Sequence, residues 1–169
     1  HPWHAPCGMA DEDADFVRKV LGLSGTPCDL VSVVETQDLL MKVLSGEAPL
    51  DLLAKVKRDF ERVAEGHDIM LLEGGASLRE GFSVGLGTPV VAQALNASVL
   101  AVTPFRNQGS WVDDGLVAKL RLGDQLVGVV ANKVPDTEMD FVTGAAGPYL
   151  EQQGVPVLGA LPFCESLQA

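Results

Sequence analysis

His67–Gly75 reads HDIMLLEGG, and the reading of this stretch decides the fold. Asp68–Leu72 is a short aliphatic run closed by one carboxylate, Glu73, and by Gly74–Gly75, with Gly66 before it. A run of this length, bounded by glycine, predicts a strand buried on both faces of a parallel sheet. Ligands of open α/β sheets sit beyond the carboxyl ends of the strands. Glu73 is expected at that edge, where the glycines let backbone N–H groups come close to a phosphate or a metal. The plainer alternative is a strand and a glycine turn, with Glu73 solvated.

The flanking segments alternate in character. Asp51–Glu65 predicts an amphipathic helix. Leu52, Leu53, Val56, Phe60 and Val63 form one apolar stripe, and Lys55, Lys57, Arg58, Glu61 and Arg62 make the solvated faces. Pro49 precedes this helix and Gly66 ends it. Glu73–Gly87 reads as a loop with five glycines, of a size that in a compact domain is often functional. Thr88–Leu95 predicts a helix closed by Asn96, Ser98–Val102 a strand, and Pro104–Ser110 a loop carrying Arg106. Trp111–Arg121 predicts a helix and Leu126–Ala131 a strand, with Asn132-Lys133 just beyond its end. Pro135–Glu138 turns into a helix reaching about Gln153, and Val155–Gly159 is the last strand, left by Ala160-Leu161-Pro162. This rhythm predicts an α/β fold, a mostly parallel sheet with helices on both faces. Residues 1–169 are expected to form a single domain.

The N-terminal part is less regular. His1–Ala10 reads as a loop. His1, His4 and Cys7 match no closed zinc site because a fourth ligand is missing, which favours ordinary loop residues. Asp11–Leu21 predicts a helix stopped by Gly22, with Phe16, Val17, Val20 and Leu21 at helical spacing. Asp11, Glu12, Asp13 and Asp15 crowd its first turn, where carboxylates suit the helix dipole; the alternative is that one of them ligates a metal. Leu30–Val34 predicts a short extended edge and Thr36–Leu44 a helix.

Composition narrows the function classes. The 169 residues are 47% hydrophobic and 21% charged, as in a globular chain. The net charge of −11 argues against nucleic acid or an anionic membrane as a main partner. No apolar run approaches the roughly 18 residues that cross a bilayer, and the start shows no signal-peptide pattern. The three cysteines, Cys7, Cys28 and Cys164, are odd in number and widely spaced. Reduced thiols in a cytoplasmic protein are the expectation.

Polar residues follow each predicted strand: Glu73, Thr103 with Arg106, Asn132 with Lys133, and Pro162 with Glu165. A carboxylate can hold Mg²⁺. An Asn amide offers the donor and the acceptor that a purine edge requires. Together they point to a purine nucleotide with Mg²⁺, whereas singly Asn132 is also a turn former and Lys133 a surface lysine.

The segments DEDADFVRKVLGL, MLLEGGASLREG, LLAVTPF, LVGVVANKV and VPVLGALPF, spanning Asp11–Phe163, carry a resemblance. In order and spacing they resemble the dethiobiotin synthetase family within the P-loop NTPase fold. The nearer likeness is to the dethiobiotin-synthetase-like N-terminal domain of phosphotransacetylases and related stand-alone proteins. The resemblance implies ATP or another adenine nucleotide with Mg²⁺ as ligand. By it, Asp13 and Glu73 are the metal carboxylates, Asn132 reads adenine, and Leu161-Pro162 pack on adenine and ribose. It also implies that the glycine loop and a loop around Gly109–Asp114 lie near substrate and a dimer partner.

The sequence departs from that family in several respects: the P-loop lysine, its metal-binding Ser/Thr and the Lys-Pro segment that follows the family's second strand are all absent. No G-x-x-x-x-G-K-[ST] occurs, so nothing in these residues cradles the β- and γ-phosphates. The family places its first strand and P-loop ahead of His1. Either about forty residues precede His1 or a partner fills the gap, and a homodimer or an attached catalytic domain is expected. The expected function is therefore a nucleotide-binding or regulatory domain without ligase activity of its own. The alternatives are an ATP- and Mg²⁺-dependent dethiobiotin-synthetase-type ligase, and an interaction module that no longer binds nucleotide.

Overall fold

The computed structural model describes residues 2–5, 8–47 and 51–167. The residues gather into two compact units, His1–Leu95 and Asn96–Ala169.

The first unit opens on an antiparallel hairpin, β1 (Pro2–Ala5) and β2 (Gly8–Asp11), with Pro2 opposite Asp11. A loop was expected there. The notion of a His1, His4 and Cys7 metal site falls outside the described residues. Cys28 is disulfide-bonded, which corrects the expectation of a reduced thiol at that position. Helix α1 (Glu12–Leu21) begins where expected. Asp11 is its N-cap and accepts the Asp13 N–H at 2.9 Å, which satisfies one of the orphan donors of the first turn. Gly22 ends it in the left-handed region at φ 62, a conformation glycine adopts without a Cβ penalty.

Helix α2 (Gln37–Leu44) is capped by the Thr36 hydroxyl, and α3 (Leu52–Ala64) by the Asp51 carboxylate. The stripe of α3 is half-buried and its charged residues other than Asp59 are exposed, as the spacing predicts. Asp59 on this helix accepts from Lys55 and from the Ser32 hydroxyl, tying it to the segment before α2. That segment, Leu30–Val34, is not a strand; a short 3₁₀ turn, Pro27–Asp29, precedes it.

Asp68–Leu72 is the main departure from the sequence reading. It is in no sheet among the described residues, and Ile69, Leu71 and Leu72 are 78%, 92% and 51% exposed. A strand exists only through hydrogen bonds to a neighbour, and no described segment pairs with this one. The apolar pattern is strand-like, but the pattern cannot supply its partner. The glycine loop beyond it folds partly on itself. The Glu80 carboxylate accepts the Ala76 N–H at 2.8 Å, and Gly81 returns to bond Leu86. Gly81 is obligatory: its φ is 79, and a Cβ there would lie 2.6 Å from the Leu86 carbonyl oxygen. The unit closes with α4 (Thr88–Leu95), as predicted.

The second unit is an α/β layer around a parallel sheet of order β3 (Val99–Pro104), β4 (Leu126–Val134), β5 (Val157–Pro162). The sheet therefore has three strands instead of the four the rhythm predicted. Helix α5 (Gln108–Leu122) follows β3. It starts ahead of the predicted Trp111 because the Asn107 side chain caps it through Ser110 N. A helical stretch follows β4, made of α6 (Met139–Phe141), a π-helical turn (Val142–Ala146) and α7 (Gly147–Gln152). It occupies the predicted range, with the wide turn in place of a regular helix. The core lies where these layers meet: Trp111, Val129, Val134, Val142, Leu150 and Val155 are fully buried. This is the helix-covered parallel sheet that the alternation of elements implied. No described helix is long and apolar enough to cross a membrane.

Candidate functional site

The carboxyl ends of β3, β4 and β5 form one edge. Register puts Pro104 beside Asn132, and Pro162 beside Val134. Backbone bonds extend the edge past the strands: Phe105 N donates to the Asn132 carbonyl at 2.7 Å, and Phe163 N to the Val134 carbonyl at 2.8 Å. In open α/β sheets this is the ligand edge.

Asn132 and Lys133 are not beyond β4, as expected, but inside it. Between the Ala131–Ala160 and Val134–Pro162 pairs, β4 holds one more residue than β5, so β4 bulges there. Lys133 takes up the extra length at φ 58, a left-handed conformation that a lysine adopts at a cost of about 1–2 kcal/mol. Asn132 is half-buried, and its Oδ1 accepts the Lys133 N–H at 2.9 Å. Its Nδ2 group is thus the part of the amide left to donate. Leu161 and Pro162 likewise lie within β5 instead of leaving it, because the bulge prolongs the β4–β5 ladder; both are exposed.

Immediately past these strands an open depression of about 570 Å³ is lined by Pro135, Asp136, Phe163 and Glu165. The position of Glu165 after the last strand points to it from sequence. Asp136 and Phe163 were missed, although Pro135 marks the strand's end and places Asp136 on the turn behind it. Arg106 on the β3 side is held by Asp114 at 2.7 Å, and Gln108 donates to Glu138 at 3.0 Å. Gly109–Asp114, expected as a loop, belongs to the first turns of α5.

Asp13 and Glu73 belong to the first unit. Asp13 lies in the first turn of α1 with its carboxylate exposed. Glu73 is exposed in the irregular segment before the glycine loop. Both offer carboxylate oxygen, the donor that Mg²⁺ takes. Among the described residues no three His, Cys, Asp or Glu side chains cluster to hold a metal. The carboxylates whose titration is clearly displaced are structural ones. The Asp13 N–H holds Asp11 below the ordinary carboxylate range, Lys19 does so for Asp15, and Lys55 for Asp59.

The helix-covered parallel sheet places the second unit in the α/β class, consistent with a P-loop NTPase-like fold. A family model described as an AAA domain (AAA_26) matches residues 5–169. The chain therefore belongs to this P-loop NTPase family, which includes dethiobiotin synthetase. No solved structure matches the chain.

Proposed function

We propose that this chain is a nucleotide-binding regulatory domain, resembling dethiobiotin synthetase and the N-terminal domain of phosphotransacetylase, that takes a purine nucleotide with Mg²⁺. The observation that carries the reading is the bulge at Asn132–Lys133. A left-handed lysine and a committed amide at the carboxyl end of the central strand hold a costly conformation at the place where such folds take ligands. In this reading Asn132 reads the base through its Nδ2 group, and Leu161 and Pro162 give the base and ribose an apolar rest. Asp13 and Glu73 are the carboxylates that the resemblance assigns to Mg²⁺, which when bound would offset phosphate charge. The resemblance implies adenine as the base, and a homodimer or an attached catalytic domain as the regulated partner.

Ligase chemistry is not assigned to the chain. Trapping a carbamate as a mixed anhydride needs lysines that grip the transferred phosphate. The 169 residues contain no G-x-x-x-x-G-K-[ST] to provide one.

The test is a titration with MgATP and MgGTP to several hundred micromolar, read by thermal shift and calorimetry. Binding of either nucleotide is expected. Asn132→Ala should weaken it about tenfold, the worth of one or two hydrogen bonds to a base. Glu73→Gln should abolish the dependence on Mg²⁺ while leaving weak metal-free binding. If neither nucleotide binds, the chain is an interaction module and the reading fails. If both variants bind as the parent does, the residue assignments fail.

A further inference from the structure

We infer that the disulfide of Cys28 is a redox switch: closed, it holds the β1–β2 hairpin and α1 against the turn at Pro27–Asp29, and reduced, it releases them. Cys28 is disulfide-bonded and half-buried on that turn. The chain has three cysteines, and Cys164 carries a free thiol. By count, the bond closes on the connection between β1 and β2. The position of Cys28 agrees: a Cβ on Gly8, the first residue of β2, would lie 4.0 Å from its Sγ.

The two sides of the bond are held unequally. The turn has other anchors. Asp29 accepts the Thr26 N–H at 2.8 Å and the Thr26 hydroxyl at 2.9 Å, and it pairs with Arg62 of α3 at 3.3 Å. Lys55 of α3 donates to the Ser32 carbonyl just beyond. The hairpin side is held by little else. A lone two-stranded hairpin is marginal in water. Helix α1 follows β2 directly and buries none of its residues; Phe16, Val20 and Leu21 are exposed. Its ion pairs, Arg18 and Lys19 with Asp15, stay within the helix. Among the described residues, no hydrogen bond or ion pair runs from α1 to the turn, to α2 or to α3. A cross-link matters most where packing contributes least, so opening it frees the hairpin and α1 and leaves the turn in place.

The step needs a dithiol reductant. One of its thiolates attacks a sulfur of the bond, and the other sulfur leaves as a thiolate that takes a proton. The second thiol of the reductant then displaces the mixed disulfide. Two electrons and two protons pass to the chain, which gains two thiols while the reductant becomes a disulfide. Asp13 lies in the first turn of α1. If it is a Mg²⁺ carboxylate, as proposed above, reduction also weakens binding of the Mg²⁺ nucleotide; this consequence alone rests on that reading.

The test uses the whole chain carrying Cys164→Ser, so that the exposed thiol cannot exchange with the bond. The protein is oxidised with glutathione disulfide, then reduced with dithiothreitol without denaturant. Alkylation of Cys28 reports opening, and hydrogen exchange with mass spectrometry reports the helices. On reduction the amides of α1 should lose protection at least about tenfold while those of α3 keep theirs. Reoxidation should restore the first pattern. Cys28→Ser should show the reduced pattern with or without reductant. A bond that opens only in denaturant overturns the inference, and so does a reduced protein with unchanged exchange in α1. Equal loss of protection in α1 and α3 overturns it too, because the bond is then a staple for the whole unit. So does a Cys28 thiol that glutathione disulfide cannot oxidise. If the switch works and MgATP binds both forms equally, the placement of Asp13 fails and the switch stands.

Discussion

Replacing Lys133 by glycine should stabilise the second unit, and the size of the effect follows from its backbone. At φ 58 Lys133 lies in the left-handed region, which costs a residue with a Cβ about 1–2 kcal/mol. Glycine removes that cost but loses about 0.5–1 kcal/mol more unfolded-chain freedom on folding. Lys133 is exposed, and its side chain makes no hydrogen bond or ion pair among the described residues, so little else is lost. The net gain is about 0.5–1 kcal/mol. For a unit of this size it appears as a rise of roughly 2–8 °C in Tm, or about 0.5 M or more in the urea midpoint. Trp111 is buried in this unit, so its fluorescence in a Trp3→Phe background reports the unit's unfolding. Lys133→Ala is the control: it removes the side chain but keeps the Cβ, so its midpoint should stay near the parent's. A glycine variant no more stable than the alanine one would refute the strained-bulge argument. Were the glycine variant also to bind nucleotide unchanged, the bulge would have no functional reason to be costly.

Two further outcomes follow from the packing. Leu150 is fully buried on α7, so Leu150→Ala should cost about 3–4 kcal/mol, the range for a cavity that cannot collapse; urea unfolding read by Trp111 measures it, and a loss under 1 kcal/mol would mean the core is not packed as described. Asp59 is held below its ordinary pKa, chiefly by the Lys55 ammonium and then by the Ser32 hydroxyl. Because the folded value is depressed, its stabilisation is complete above the unfolded value near about 4 and is lost as pH falls through the folded value. The parent should therefore exceed Asp59→Asn in stability at pH 7 and approach it at pH 3; parallel curves at the two pH values would remove Asp59 from the account.

What the sequence made legible was what short-range physics determines. Asp11, Thr36 and Asp51 cap their helices as their positions suggest, because an N-cap needs only its own first turn. The strands of the second unit were legible because their aliphatic runs alternate with helices long enough to cross over the sheet. The bulge was not: lysine has no preference for φ 58, and only the β4–β5 register demands it. For the same reason Leu161 and Pro162 looked like residues leaving a strand, when one extra residue on β4 keeps them in the ladder. Of the expected residues, Asn132, Leu161 and Pro162 could be placed at the sheet edge from strand order alone. Asp136 and Phe163 join it through turn geometry that no motif encodes. Asp68–Leu72 marks the limit of pattern reading. Leu71 and Leu150 have the same side chain, yet one is 92% exposed and the other fully buried. Hydrophobicity states what a residue gains by burial, about 25 cal/mol per Å². Where it is buried depends on which backbone lies beside it, and that is a property of pairs of segments rather than of any one of them.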